Sequence, residues 1–257
     1  MLYYFWGDKM YALITGASSG IGYEFAKELN KKGYDLILVA RNENKLLELK
    51  NELKGNIIIK PYDVSIIDNI YKLFDEINDL DLELIINNAG FGDCGYILDT
   101  DINKELQMID VNVKALYAIT KLGIKNMKKG KILNVASIAG ILPAGPYMAQ
   151  YYATKSYVKS FSLGIQYELK KNKANVSVHT LCPGPIKTNF DKNANVSFSL
   201  KGMDKEKCVK YTLKKLFKNK TLIIPGFKIR MAAIFQKLIP TKSAIKMTSR
   251  QQTKKIY

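Results

Sequence analysis

The sequence predicts a doubly wound α/β domain, a seven-stranded parallel sheet flanked by helices. Three observations predict it. Short apolar, β-branched runs alternate with longer helical patterns along the chain. Runs such as Leu36-Ile-Leu-Val-Ala40 are apolar at every position rather than at alternate ones, as a strand buried between two helix layers must be. The 257 residues, 47% of them hydrophobic, suit one large domain with a sizeable core.

Strands are expected at residues 11–15, 35–41, 56–62, 82–87, 131–136, 175–181 and 221–224. Helices are expected at 21–32, 44–54, 66–78, 103–127, 150–171 and 204–218. Neither a Pro/Gly/Ser-rich linker nor an internal repeat divides the chain, so residues 1–226 read as one domain and 227–257 as a basic helical tail. In such a sheet, ligands are expected outside the carboxyl ends of the strands.

The first strand runs into Thr15-Gly-Ala-Ser-Ser-Gly-Ile-Gly22, and a helix follows at once. Glycines at 16, 20 and 22 let the backbone turn tightly and approach a pyrophosphate. The helix N-terminus then offers free N–H groups and partial positive charge to the phosphates.

Further along come Asn87-Asn-Ala-Gly90 after the fourth strand and Asn112 in Val111-Asn-Val113. Ser137 after the fifth strand, Tyr151-Tyr-Ala-Thr-Lys155 and Pro183-Gly184 follow. Together, in this order, these segments resemble the motifs of the short-chain dehydrogenase/reductase family, over residues 11 to about 188. The resemblance implies a Rossmann-type fold and an oxidoreductase moving hydride between a nicotinamide cofactor and a carbonyl or alcohol substrate. It implies that Gly16, Ser18, Ser19, Gly20, Ile21, Gly22, Asn88, Ala89 and Gly90 cradle the nucleotide. Asp63 and Val64 would meet its adenine, and Pro183, Gly184, Ile186 and Thr188 would hold the nicotinamide. For Asp63, capping of the helix that follows is the alternative.

An acid at the end of the second strand would bind the ribose 2′-hydroxyl of NAD, whereas a base suits the 2′-phosphate of NADP. This chain has Ala40-Arg41-Asn42, with no acid until Glu43, so Arg41 points to NADP(H). Ser19 departs from the second basic residue that some NADP-preferring relatives carry there.

The pattern Tyr-x-x-x-Lys selects nothing by itself, because it also occurs at Tyr23/Lys27, Tyr117/Lys121, Tyr167/Lys171 and Tyr211/Lys215. Only Tyr151/Lys155 follows the fifth strand and its serine. Four residues along a helix put both side chains on one face. A neighbouring ammonium lowers the pKa of a phenol from its usual value near 10. Tyr151 is therefore expected as general acid in reduction and general base in oxidation, and Ser137 as hydrogen-bond donor to the substrate oxygen. By the resemblance, Tyr151 and Lys155 also touch the cofactor, Lys155 holding the nicotinamide ribose, and Asn112 anchors a water that relays protons to Lys155. Ser137 precedes Tyr151 by 14 positions, one more than is usual in the family; the loop 141–146 is expected to absorb the extra residue.

Other classes fare worse. His179, the sole histidine, sits in an apolar strand with no serine elbow or second imidazole, so a core role is expected. The scattered cysteines 94, 182 and 208 form no ligand pattern and no metal site is expected; reduced thiols fit a cytoplasmic protein. The net charge of +17 comes without the aromatic interleaving of a nucleic-acid module, and no nucleic-acid partner is expected. No run of 18 apolar residues exists to span a bilayer. Residues 1–9 read as a leader, or as residues upstream of a start at Met10.

Segment 189–218 corresponds to the family's variable substrate lid, and Phe190, Val196, Phe198, Leu200 and Met203 suggest a medium or large hydrophobic substrate. The tail holds eight basic residues and no acidic one. A helix packed on the domain or on another subunit is the favoured reading of it; the alternative is a helix on an anionic membrane surface that feeds the site lipid-like substrates, which would make the chain a membrane-surface lipid-type reductase. The family implies a dimer or tetramer. A catalytically silent nucleotide sensor is the competing class; a sensor has no need of Asn112, Ser137, Tyr151 and Lys155 together.

Overall fold

The structure, a computed structural model, describes residues 10–188 and 202–256. The chain runs β1 (Tyr11–Thr15), α1 (Gly20–Asn30), β2 (Asp35–Val39), α2 (Glu43–Glu52), β3 (Ile57–Lys60) and α3 (Ile67–Glu76). It continues through β4 (Leu82–Asn87), α4 (Ile102–Ile109), α5 (Leu116–Asn126), β5 (Gly130–Val135) and α6 (Ala149–Lys171). Last come β6 (Val176–Leu181), α7 (Lys205–Leu216), β7 (Leu222–Ile223), α8 (Phe227–Phe235) and α9 (Thr241–Ile256).

Alternation along each strand decides which helix layer a side chain meets. Leu36 and Leu38 of β2 join a core with Phe25 and Leu29 of α1, Leu49 of α2 and Leu213 of α7. Ile37 and Val39 face the other way, onto Ile70 and Leu73 of α3 and Ile119 of α5. Both faces are covered, which is why the run carries no polar residue. Each such large side chain, removed from water, contributes about 1.5–3 kcal/mol.

All seven strands pair in parallel, in the order β3-β2-β1-β4-β5-β6-β7. The order reverses between β1 and β4, and their carboxyl ends open the crevice in which such sheets bind ligands. A line of buried polar groups crosses the sheet here. Thr15 Oγ1 donates to Asn87 Oδ1 (3.5 Å), and Asn87 Nδ2 donates to the Leu116 carbonyl (3.0 Å) and to Thr120 Oγ1 (3.4 Å). Thr120 donates to Asn134 Oδ1 (3.1 Å), and Asn134 Nδ2 donates to Ser162 Oγ on α6 (2.9 Å).

The architecture is the expected one; the element bounds differ for local reasons. β2 ends at Val39, not residue 41, because Asn42 turns to cap α2, accepting from the Lys45 amide at 3.0 Å. β3 ends at Lys60 because Pro61 brings no N–H to the ladder. The helix expected at 103–127 is two helices joined by a π-helical turn, Asp110–Ala115, that carries Asn112. Within the expected lid, Lys205–Leu216 is a core helix, packing Cys208, Val209, Leu213 and Leu216 inward. Of the residues expected at its apolar mouth, Phe190, Val196, Phe198 and Leu200 lie outside the described residues. His179 is buried and satisfied, with Nδ1 against the Lys220 carbonyl and Nε2 against Ser177 Oγ, each at 2.9 Å.

Candidate active site

The glycine turn is locked onto the neighbouring strand. Thr15 Oγ1 accepts from the amides of Asn88 and Ala89, both at 3.0 Å, and Asn88 Nδ2 donates back to the carbonyls of Thr15 (3.0 Å) and Gly16 (3.3 Å). Gly16 and Gly20 hold φ of +66° and +60°, a region other residues rarely adopt. A Cβ at Gly22 would overlap the Gly16 carbonyl oxygen. Ser19 is the N-cap of α1 but makes no side-chain cap bond, which leaves the first-turn amides to an incoming anion. Gly22→Ala is therefore expected to weaken nucleotide binding at least tenfold in a fluorescence titration. Alanine favours a helix by about 1 kcal/mol over glycine, so unchanged affinity would show that the close packing of this turn is not needed.

Tyr151 and Lys155 stand one turn apart near the start of α6, against the end of β5. The Tyr151 hydroxyl is hydrogen-bonded with Ser137, and Lys155 Nζ lies 5.9 Å from the Tyr151 ring centre. Ser137 caps a short 3₁₀ turn, its Oγ accepting from Ala139 N at 3.2 Å. In the loop after it, Gly145 packs where a Cβ would meet the Tyr152 ring, and Tyr147 takes φ of +64°. Burial pushes the Tyr151 phenol up to about 12, opposed by the Ser137 hydrogen bond. Burial also pulls the Lys155 ammonium down to about 8, and its proton is directed at the Val135 carbonyl, 3.0 Å away. The expected lowering of the phenol by its lysine is not found: desolvation sets the direction, and what opposes it is the Ser137 hydrogen bond. Tyr151 remains protonated throughout the neutral range.

Asn112 is placed differently from the other three. Its Nδ2 donates to the Phe91 carbonyl (2.9 Å) and Thr154 Oγ1 (3.1 Å), while its Oδ1 accepts from Phe91 N (3.1 Å). The side chain clamps the segment after β4 and does not face the cleft. Gly90 lies between it and Lys155: a Cβ there would sit 2.8 Å from Asn112 Oδ1 and 3.2 Å from Lys155 Nζ.

Arg41 projects beyond β2 with 68% of its side chain exposed, 3.9 Å from Asp63 Oδ2. Asp63 also accepts from Ser65 N (2.9 Å) and Ser65 Oγ (2.7 Å), so it shapes its own turn, but it does not cap the helix that follows, whose N-cap is Ile66. Beyond β6, Lys187 N and Met203 N bond to the carbonyls of Met203 (2.9 Å) and Pro185 (2.8 Å), which fixes the Pro183–Thr188 loop.

A cleft of about 1230 Å³ joins these parts. Every candidate residue lines it except Gly22 and Asn112, which support it from behind. Its far wall was not foreseen from the sequence. Ile229, Ala232 and Phe235 of α8 and Ala244, Met247 and Gln252 of α9 line the same cleft. Two amides pin that wall: Gln236 Nε2 donates to the Ile141 carbonyl (3.1 Å), and Gln252 Nε2 to the Tyr152 hydroxyl (2.7 Å). Ala244, Thr248 and Gln252 recur every fourth residue and are buried, a pattern legible as one packed face but silent about what it packs on.

Fold, phosphate turn and buried polar cluster together define a Rossmann-type nucleotide-binding domain. The profile of the short chain dehydrogenase family matches residues 10–197, and the chain belongs to that family. The chain is 32% identical over 193 residues to a very-long-chain 3-oxoacyl-CoA reductase of Candida glabrata, a match covering 65% of this chain and 54% of that protein. It thus spans little more than half of that relative's length. It is 33% identical over 187 residues to a 3-oxoacyl-[acyl-carrier-protein] reductase of Rickettsia bellii, covering 72% of this chain and 76% of that one. A Sphingobium yanoikuyae short-chain dehydrogenase solved with NADPH superposes with a TM-score of 0.78 at 25% identity, covering 94% of this chain and 96% of that one.

Proposed function

We propose that this chain is an NADPH-dependent reductase of a hydrophobic ketone, of the 3-oxoacyl thioester class. The observation that carries the proposal is the burial of Ser137, Tyr151 and Lys155 together on the wall of the cleft into which the phosphate turn opens. The names of two relatives, reductases of 3-oxoacyl thioesters, support the substrate class.

The turn at Gly16–Gly20, Asn88–Gly90 and the Pro183–Thr188 loop would hold the dinucleotide, which supplies hydride to the carbonyl carbon. The chain's own residues do the rest. Ser137 hydrogen-bonds the carbonyl oxygen as charge develops on it. Tyr151, kept protonated by burial, gives that oxygen its proton, and Lys155 is the nearby acid that restores it. A phenol held at about 12 keeps its proton throughout the neutral range, the form in which reduction needs it. The apolar residues of α8 and α9 give an acyl chain a wall to lie along.

Arg41 would read the 2′-phosphate. Its contact with Asp63 is long and exposed, worth less than about 1 kcal/mol, and a phosphate dianion outcompetes it. Arg41→Ala is expected to weaken NADPH about tenfold or more, leaving NADH unchanged. A variant with both affinities unchanged would remove Arg41 from the assignment.

The test of the whole reading is loss of reduced-nicotinamide absorbance with 3-oxoacyl thioesters of increasing chain length. Turnover is expected, with kcat/KM rising with length. Activity confined to small polar aldehydes or sugars would overturn the substrate class. Tight nucleotide binding without turnover on any carbonyl would instead make the chain a sensor.

A further inference from the structure

The two C-terminal helices bury one face each, and the faces they leave outside are opposite in character. On α8 and the 3₁₀ turn after it, Ile229 and Ala233 pack inward, Ile229 against Gly184. Phe227, Ile234 and Leu238, at helical spacings of seven and four, are 71%, 52% and 79% exposed. On α9 the buried line Ala244, Thr248, Gln252 is matched by an outward line Lys242, Lys246, Arg250. Cations four apart on a helix repel one another, and residues 227–257 contain no acid to offset them. Both helices reach the mouth of the cleft: Phe235 of α8 and Met247 and Arg250 of α9 are exposed and also line it.

We propose that α8 and α9 dock this chain on an anionic lipid surface, with the mouth of the cleft at that surface. Exposed aromatic and aliphatic side chains beside a helix line of cations are the two components of interfacial binding. No helix among the described residues is long and apolar enough to cross a bilayer, so the contact is with the surface. A second copy of the chain fits this face poorly: pairing it with itself would bring two tails of eight basic residues together, on molecules of net charge +17. Docking stands apart from the reaction. That an acyl substrate enters the cleft from the bilayer rests on the reductase reading.

Co-sedimentation of the full chain with phosphatidylserine/phosphatidylcholine vesicles tests the proposal, beside pure phosphatidylcholine vesicles and at low and high salt. Binding is expected to the anionic vesicles alone and to weaken as salt screens it. Lys242→Ser with Lys246→Ser, neither of which lines the cleft, is expected to reduce partitioning on the order of tenfold. Phe227→Ser with Leu238→Ser is expected to reduce it as well. Nucleotide binding should stay unchanged in both variants, which shows that they fold. Equal binding to neutral vesicles, or none to either, would overturn the proposal. So would binding to acidic polypeptide without binding to vesicles, or self-association that Phe227→Ser and Leu238→Ser abolish. Failure of the reductase reading is seen separately, as absence of turnover with vesicle binding intact.

Discussion

Tyr151→Phe is expected to leave nucleotide affinity within about threefold of the unmutated chain and to lower kcat for ketone reduction by about 10³-fold or more. A positioned proton donor contributes 10²–10⁴-fold, and no other side chain among the described residues of the cleft is equally placed. Tyr152 is also buried and also pushed up to about 12, but its hydroxyl already accepts from Gln252. Tyr152→Phe should therefore keep turnover within an order of magnitude. Single-turnover oxidation of bound NADPH separates the chemical step from binding in both variants. If Tyr151→Phe retained most of its rate, the proton would have to come from solvent, and the role of the buried cluster would need another account.

Lys155→Met is expected to have two effects of opposite sign. Catalysis should fall by at least 10²-fold, because the acid that restores Tyr151 is lost. The free protein should become more stable. The ammonium is pulled from 10.5 to about 8 by burial, which at neutral pH corresponds to roughly 3 kcal/mol of cost in the charged form. Orphaning the Val135 carbonyl takes back about 1–2 kcal/mol, so Tm should rise by a few degrees. The pH dependence follows from the same values. Below pH 8 the folded and unfolded chains both hold the proton, and the cost is constant. Between 8 and 10.5 the unfolded chain binds more protons, so the unmutated protein gains stability as pH rises and Lys155→Met does not. Thermal melts across that window check the sign. An alkaline limb near pH 8 in the reduction rate, as Lys155 loses its charge, checks the catalytic half.

The sheet and the nucleotide side of the cleft were legible because their determinants are local. A fully apolar run states that both faces are covered, and a glycine triad between strand and helix states a close approach. Context along the chain also separated Tyr151/Lys155 from four other pairs of identical spacing. Three things were hidden. The phenol's direction of shift depends on how deeply Tyr151 is buried, a tertiary quantity, and desolvation reversed the local expectation. Asn112 owes its place to a π-helical turn that no residue in Asp110–Ala115 announces. The far wall arises from contacts as distant as Tyr152 and Gln252, a hundred positions apart, while its helical periodicity tells only that one face is covered.

The line of amides and hydroxyls from Thr15 to Ser162 also acts as a proofreading device for assembly. Asn87 and Asn134 sit opposite each other in adjacent strands, and each finds its partner only at that alignment. Slipping β4 by one position would turn every side chain of the strand to the opposite layer. Asn87 would then face an apolar layer with no partner, at a cost of a few kcal/mol, and Thr15 would lose the strand that holds the phosphate turn against it. Greasy strands alone tolerate many alignments, since one branched aliphatic residue packs much like the next. The polar line tolerates one. A misthreaded sheet is thereby penalised at the very place where the glycine turn must be held.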